Sequence, residues 1–278
     1  PSIAVLPFDN MSGDPEQEYF SDGLTEEIIT ALSKTPKMLV IARNSTFTYK
    51  GKAVKVQKVA EDLGVRYVLE GGVRKAENRV RITAQLIDAI TGHHVWSERY
   101  DRDLKDIFSL QDEITMKIVA SLRAELTIGE QERLTTRGTE NLQAYLKYIQ
   151  GKEIFLGITK ENNALARQIF EEVIALDPHY AGAYHILGAT YWIDVFYDSS
   201  KSPKKSIAKA MELIKKGIAL DESYFPAHTQ LGWLYAMTEN HEEAISDLER
   251  ALELAPNAAD AHMWMSYVLR VAGRNEEA

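Results

Sequence analysis

The chain has 278 residues, of which 45% are apolar and 26% charged, values typical of a globular protein with two domains. It contains no cysteine, which excludes disulfides, thiolate metal sites and a cysteine nucleophile within it. The net charge of −9 divides into −2 over residues 1–126 and −7 over residues 127–278, so neither half has the basic excess expected of a nucleic-acid or anionic-membrane surface.

Residues 1–126 alternate between strand and helix patterns. Apolar runs and alternating residues predict five strands: Ile3–Phe8, Met38–Ala42, Tyr67–Val73, Arg79–Asp88 and Val95–Tyr100. Helical spacing predicts three helices: one carrying Leu24 to Leu32, one over Val56–Leu63, and one with the stripe Leu110, Ile114, Ile118, Leu122 and Leu126. Ser21 or Asp22 is the expected cap of the first helix, and Ser109 with Asp112 the capping box of the last. This order predicts a two-layer α/β domain with a mixed sheet and helices mainly on one face.

A linker is predicted at 127–140. The residues after it, 141–278, carry a repeated pattern. Gly232 and Ser266 stand 34 positions apart, as do Ala244 and Ala278, and this is the period of the tetratricopeptide repeat. Two looser copies begin near positions 141 and 181. The pattern therefore predicts an all-α tetratricopeptide-repeat solenoid of about three and a half repeats, whose stacked helix pairs share one core.

The second copy is longer than the others. Gly188 and Gly232 are 44 residues apart, ten more than the period, and the excess falls near Trp192 to Lys205, where Asp198 to Pro203 is typical of a loop. We expect the small residues at Gly188 and Gly232 to let neighbouring helices approach closely. A Leu at either position should cost roughly 1–3 kcal/mol by overpacking.

Stacked repeats form a concave groove lined by the first helix of each pair. Aromatic and Met side chains on such a face suit an extended or helical peptide ligand. By repeat position, the expected groove residues are Tyr148, Lys152, His185, Trp192, Thr229, Trp233, Met263 and Tyr267. Some of them could instead be core residues. Trp192 either faces the groove or packs under the insertion, whereas Trp233 is the stronger groove candidate, and its change to Ala is expected to weaken binding with little change in melting temperature.

Four segments of the first half carry a family resemblance: IAVLPF at 3–8, SDGLTEEII at 21–29, YVLEG at 67–71 and RITAQLID at 81–88. They resemble a bacterial family with the fold of the amino-terminal domain of TolB and related envelope proteins. In that family the domain is often followed by tetratricopeptide repeats. It lies downstream of a class III adenylate/guanylate cyclase domain or a CadC-like winged-helix DNA-binding domain, often with a membrane helix between. Neither upstream module occurs in this chain, so the resemblance assigns it neither activity.

The common motifs of catalytic and cofactor-binding sites are absent from the sequence. The sequence has no G-x-G-x-x-G or G-x-x-x-x-G-K-[ST] phosphate loop, no H-E-x-x-H and no G-x-S-x-G, so we expect no catalytic residue and no cofactor. His93 and His94 are adjacent and point apart, which makes a poor metal site. Arg43 and Asn44 follow the second strand, where α/β sheets often bind ligands. With the loop Asp9 to Asp14 they form either a small-molecule or peptide site or a purely structural loop.

The leading hypothesis is a non-catalytic protein–protein interaction and sensory region of a bacterial signalling protein, which binds a protein or peptide in the repeat groove. One alternative is the regulatory portion of an adenylate cyclase whose catalytic domain lies elsewhere. Another is a nucleic-acid-binding adaptor, against which the charge argues. Self-association is left open.

The two ends of the sequence suggest how the chain relates to a longer protein. It opens at Pro1 and closes part-way through a repeat, so we expect a fragment of a longer protein. No apolar run approaches the ~20 residues of a membrane helix. The expected compartment is the periplasm if such a helix precedes the fragment, and otherwise the cytoplasm.

Overall fold

The computed structural model describes residues 1–36, 38–122, 138–274 and 276. The chain divides into two units, Pro1–Thr136 and Arg137–Ala278. The predicted linker at 127–140 spans this division, but residues 127–137 and Leu126 lie outside the described residues, so the linker stays a prediction. Ala278, the expected small residue of the last repeat, also lies outside them.

The first unit alternates strands and helices. Its strands are β1 (Ser2–Val5), β2 (Asp9–Asn10), β3 (Leu39–Val40), β4 (Tyr67–Ala76), β5 (Arg79–Asp88) and β6 (His93–Asp103). Its helices are α1 (Glu18–Ser33), α2 (Arg43–Thr46), α3 (Val56–Leu63) and α4 (Ile107–Ser121). Three 3₁₀ turns, Pro15–Gln17, Phe47–Tyr49 and Leu104–Asp106, precede α1, follow α2 and precede α4. The bounds of β5 and α3 agree with those predicted, and α2 and β2 were not anticipated.

The strands form one mixed sheet in the order β3-β1-β4-β5-β6, with β2 paired to β4. The pairs β3–β1, β1–β4 and β2–β4 are parallel, whereas β4–β5 and β5–β6 are antiparallel. The predicted mixed sheet is therefore confirmed. Pairing of β4 with β5 extends through Ala76 and Arg79. Strand β4 therefore continues past its predicted end at Val73, and the turn that joins it to β5 is correspondingly short.

Helices cover the two faces of the sheet unequally. The face with the alternating buried residues of β5, such as Ile82 and Leu86, is covered by α4, which also packs against α1. On the opposite face, Ala4 and Val68 pack against Val59 of α3. Since α3 is only 8 residues long, it covers one end of that face and leaves the rest open.

The caps predicted for α1 and α4 are wrong, for the same reason. Each helix is extended at its amino end by a 3₁₀ turn, which no apolar periodicity reveals. Asp14 caps the first turn by accepting a hydrogen bond from the amide of Glu16 at 3.0 Å, so Ser21 and Asp22 lie inside α1. Because α4 begins at Ile107, Ser109 lies within its first turn and is not the N-cap.

The second unit consists of paired helices, as predicted for a tetratricopeptide array. Its helices are α5 (Leu142–Leu156), α6 (Lys160–Leu176), α7 (Ala181–Phe196), α8 (Pro203–Leu220), α9 (Phe225–Met237), α10 (His241–Leu254) and α11 (Ala259–Val271). Within residues 138–274 they make three pairs followed by one further helix. The first helices of successive repeats are therefore α5, α7, α9 and α11.

Glycines set the distance between the two helices of a pair. A Cβ atom at Gly188 would lie 2.8 Å from Cγ1 of Ile214, and one at Gly232 would lie 2.7 Å from Cγ of Leu248. Real Cβ atoms do not come so close to other side chains, so glycine is required if the helices are to pack at this distance. The expected close approach at both positions is confirmed.

The ten extra residues of the second repeat are shared among three elements. Helix α7 has 16 residues against 13 in α9, and α8 has 18 against 14 in α10. The remaining residues lengthen the loop between α7 and α8. The extra turn of α7 carries Phe196, which brings an aromatic ring to the surface beyond the normal end of the helix.

Candidate functional site

Five aromatic rings from three successive first helices form a continuous row, which we call the aromatic ladder. It consists of Phe196 and Trp192 of α7, Trp233 of α9, and Trp264 and Tyr267 of α11. The ring centroids of Trp192 lie 5.9 Å from Phe196 and 6.3 Å from Trp233, both edge to face. Trp233 stacks on Trp264 at 4.0 Å, and Tyr267 lies edge to face with both, at 5.9 and 6.1 Å. The ladder therefore crosses from one repeat to the next without a break.

The ladder reaches the surface at both ends. The side chain of Phe196 is 67% exposed, and that of Tyr267 is 47% exposed. Met237 and Met263 add exposed apolar surface from α9 and α11. Scattered exposed apolar residues are ordinary, but a contiguous patch that includes aromatic and Met side chains is typical of an interaction site. Three of the residues predicted for the groove, Trp192, Trp233 and Tyr267, thus lie in one row of rings, and Met263 lies four positions before Tyr267 on α11.

The expectation that Tyr148, His185 and Thr229 line an exposed groove is corrected. Their side chains are only 2%, 9% and 7% exposed. Tyr148 is enclosed by the rings of Tyr180, at 4.7 Å, and Phe170, at 5.7 Å. Thr229 turns its hydroxyl back to the carbonyl oxygen of Phe225. The spacing of residues in a repeat identifies the inward face of a helix, but it does not reveal which large neighbours cover it.

His185 is part of a buried polar chain. The hydroxyl of Tyr224 lies 3.4 Å from Nδ1 of His185 and 3.5 Å from the hydroxyl of Tyr148. Burial, together with the positive charge of Lys152, lowers the pKa of His185 to about 3. His185 is therefore neutral at physiological pH and acts as a hydrogen-bonding core residue.

Lys152, the remaining predicted groove residue, is half-buried. Its ammonium group lies 5.7 Å from the ring centroid of Tyr148. It belongs to α5 and is not one of the ladder residues. Lys152 therefore belongs to the first repeat, apart from the aromatic rings of the later ones.

Two ladder residues were missed from the sequence, Trp264 and Phe196. Trp264 and Tyr267 are three positions apart and so share one face of α11. This spacing could have identified Trp264, because Tyr267 itself follows Trp233 by one repeat period. Phe196 could not be placed, since it lies in the helical extension produced by the insertion.

The predicted ligand loop in the first unit is also corrected. Arg43 places its guanidinium 3.7 Å from the ring centroid of Phe47, and its Nε lies 3.5 Å from Oε2 of Glu26 on α1. Arg43 therefore holds α2 against α1. Asn44 is exposed beside it, and neither residue lines the nearby cleft.

That cleft has a volume of about 940 Å³ and lies on the sheet face that α3 leaves open. Its lining includes Asp9 and Met11 from the predicted loop, but the opposite wall is formed by residues after α2, among them Tyr49 and Lys52. Its polar floor comes from Glu70, Thr83, Gln85, Ser97 and Arg99. Carboxylates and cations are both present, so the lining does not single out one class of ligand.

The described residues contain neither a metal-binding cluster nor a membrane-spanning helix. Across 1–36, 38–122, 138–274 and 276, no group of three or more His, Asp or Glu side chains is arranged to hold a metal ion. In the same residues no helix combines the length and apolar character needed to cross a bilayer.

Two known families match separate parts of the chain. Residues 1–117 match the family described as HilA/YgeH-like transcriptional regulator, second domain. Residues 225–258, which contain α9 and α10, match the tetratricopeptide repeat. The predicted repeat is therefore confirmed.

A curated relative, putative adenylate cyclase 3 of Rhizobium meliloti (strain 1021), is 46% identical over 243 residues. The matched region is 86% of this chain and 41% of the relative, so the chain spans less than half of that protein's length.

Two solved structures are similar to this chain over part of its length. The first tetratricopeptide domain of Spaghetti (RPAP3) bound to the HSP90 peptide SRMEEVD is 21% identical with a TM-score of 0.40, covering 48% of this chain and 98% of that chain. TolB from Acinetobacter baumannii is 17% identical with a TM-score of 0.33, covering 44% of this chain and 28% of that chain.

Proposed function

We propose that this chain is a non-catalytic interaction and sensory region of a bacterial signalling protein, and that its repeats bind a protein or peptide partner along the aromatic ladder. The observation that carries the proposal is the continuity of the ladder across three successive first helices. Aromatic side chains that are partly exposed and held by their neighbours contribute much of the binding free energy in protein interfaces. They also lose little conformational entropy when a partner orders them.

The match to the tetratricopeptide family supports an interaction role for the repeat half. The first unit contributes no recognised catalytic motif to this proposal. We propose that it transmits or stabilises the bound state, with any output supplied by another domain of the intact protein. The partner is proposed to be a protein because the acidic repeat half would repel the phosphates of a nucleic acid. The periplasm remains the predicted compartment if a membrane helix precedes the chain, and the cytoplasm otherwise.

The binding proposal is tested by capturing partners on the immobilised chain and then titrating the purified partner into it. Tyr267→Ala removes an exposed ring at the end of the ladder without opening the core. We expect it to weaken binding at least about 10-fold, as the loss of a partly buried aromatic anchor of an interface does. Leu165→Ala on α6 is the matched control, since Leu165 is similarly exposed but lies outside the ladder. Equal affinity of wild type and Tyr267→Ala would contradict the proposal.

A second function is favoured by the relative described as a putative adenylate cyclase. We propose that this region regulates a nucleotide cyclase domain in the intact protein. The test compares cyclic-nucleotide formation by the intact protein with and without the captured partner. The partner should change the rate in wild type but not in Tyr267→Ala. If the rate of cyclic-nucleotide formation is the same with and without the partner, in both wild type and Tyr267→Ala, this regulation is ruled out and the binding proposal still stands.

A further inference from the structure

The earlier and later repeats of the array differ in net charge. Residues 141–224 contain ten carboxylate and ten cationic side chains, and so have no net charge when histidine is neutral. Residues 225–278 contain nine carboxylate side chains and only three cationic ones, a net charge of −6. The acidic bias of the array therefore belongs to its last two repeats.

The same part of the array holds the densest part of the ladder. Trp233, Trp264 and Tyr267 all lie there, each within 6.1 Å of the other two by ring centroid. The faces of aromatic rings carry partial negative charge and attract cations, and indole rings do so most strongly. Ring faces and carboxylates thus both favour a positively charged ligand.

The carboxylates of α10 are available to a partner. Glu242, Glu243 and Glu249 are exposed, and none of them forms an ion pair with another described residue. By contrast, Asp247 is engaged by Nδ1 of His228 at 2.8 Å. These three exposed carboxylates belong to the same repeat as Trp233, and their negative charge raises the local concentration of cationic partners and accelerates their association.

We propose that the ladder binds a cationic amphipathic segment of its partner protein. Apolar side chains of that segment would cover the rings of Phe196, Trp192 and Trp233. Its Arg or Lys side chains would lie over the exposed ring of Tyr267, within the field of the α10 carboxylates. An acidic segment would meet repulsion from the same carboxylates, and a neutral one would gain nothing from them. This inference rests on the proposed binding function and adds the chemical class of the partner.

The chain offers a direct signal for the test, because three of its four tryptophans belong to the ladder. Trp96→Phe removes the fourth, so that all remaining tryptophan fluorescence reports on the ladder. Three synthetic peptides with identical leucine positions are titrated into the full chain, with Lys and Arg, Gln, or Glu at the polar positions. We expect the cationic peptide to bind at least about 10-fold more tightly than the Gln peptide, and its affinity to fall between about 0.05 M and about 0.5 M salt as charges are screened.

Two variants separate the contributions of charge and rings. Glu242→Gln/Glu243→Gln/Glu249→Gln should weaken only the cationic peptide, by about 3- to 10-fold. Tyr267→Ala should weaken both the cationic and the Gln peptide, and Leu165→Ala neither.

Several outcomes would overturn the inference: no binding of the cationic peptide, equal or tighter binding of the Gln or Glu peptide, or unchanged affinity in the triple Gln variant. In each of these cases the proposed function still stands if capture of the natural partner depends on Tyr267. The proposed function itself fails if capture of the natural partner does not depend on Tyr267.

Discussion

Trp233 and Trp264 stack with their ring centroids 4.0 Å apart and their planes at 27°, although they belong to the first helices of different repeats. Trp233 also meets Trp192 of the preceding repeat at 6.3 Å. It is therefore the central ring of the ladder and joins three repeats through side-chain contacts alone. The ladder contributes to the packing between repeats as well as to the surface they present.

The stacked pair should be energetically coupled. We expect a double-mutant cycle with Trp233→Ala and Trp264→Ala to give a coupling free energy of about 0.5–1.5 kcal/mol, because offset aromatic pairs contribute this much beyond buried area. The measurement is urea unfolding of the two single variants and the double variant. Trp233→Ala with Leu165→Ala serves as the control pair and should be additive. Additivity in the tryptophan pair would show that the rings do not stack in solution.

This coupling also revises the expectation that Trp233 affects binding alone. Trp233 is half-buried between neighbouring rings, so its change to Ala should lower the melting temperature as well. Tyr267, at the exposed end of the row, is the cleaner position for separating binding from stability.

Close helix packing at Gly232 gives a second prediction. A Cβ atom there would lie 2.7 Å from Cγ of Leu248 and 3.0 Å from the carbonyl oxygen of Ala244. Gly232→Ala should therefore reduce the free energy of unfolding by about 1–3 kcal/mol, although alanine is otherwise the better helix former. Ser246→Ala, at an exposed position of α10, is the control and should change it little. A more stable Gly232→Ala protein would mean that α9 and α10 pack less closely than described.

Much of the fold could be predicted from periodicity, because the residues of a buried face recur at regular intervals. The strict alternation in β5 and the 34-residue spacing of Gly232 and Ser266 are two such patterns. The 3₁₀ turns before α1 and α4 bury no apolar stripe, so no pattern of this kind reveals them. Likewise, repeat position placed Tyr148 on the inward face of α5, but only the fold shows that Phe170 and Tyr180 enclose it. Stacking between Trp233 and Trp264 depends on how two repeats are rotated, which no local pattern encodes.

The low pKa of His185 gives a prediction about acid stability. Burial and the charge of Lys152 lower this pKa from 6.5 to about 3, so below pH 6.5 the unfolded chain takes up a proton that the folded chain does not. The stability contributed by neutral His185 is thus fully present above pH 6.5 and is lost as the pH falls towards 3. The loss should approach about 1.4 kcal/mol for each pH unit.

Urea unfolding at pH 7 and pH 5 measures this dependence, and His185→Gln should make it shallower. His179→Gln, which changes an exposed histidine, is the control and should leave the slope unaltered. An equal pH dependence in wild type and His185→Gln would show that His185 becomes protonated without cost in the folded protein.

An ion pair between α6 and α7 gives a fourth prediction. Asp194 accepts hydrogen bonds from Nη2 of Arg167 and from Nδ2 of Asn163, each at 2.8 Å. Both donors also donate to the carbonyl oxygen of Thr190, so Asp194→Ala removes one of the two acceptors of each and should cost about 1–3 kcal/mol. Glu212→Ala, which breaks the exposed pair with Lys209 on α8, should cost less than about 1 kcal/mol. Similar losses in the two variants, measured by urea unfolding, would contradict the structural role given to Asp194.

The central claim is that a partner protein covers the aromatic ladder, and hydroxyl-radical footprinting with mass spectrometry tests it most directly. Aromatic and Met side chains are reactive in this measurement, and the ladder region exposes Phe196, Met263 and Tyr267. Met11 in the first unit is comparably exposed and serves as an internal reference. We expect a saturating amount of the captured partner to lower oxidation of Phe196, Met263 and Tyr267 while that of Met11 stays the same. Unchanged oxidation of Phe196 and Tyr267 with the partner bound would contradict it.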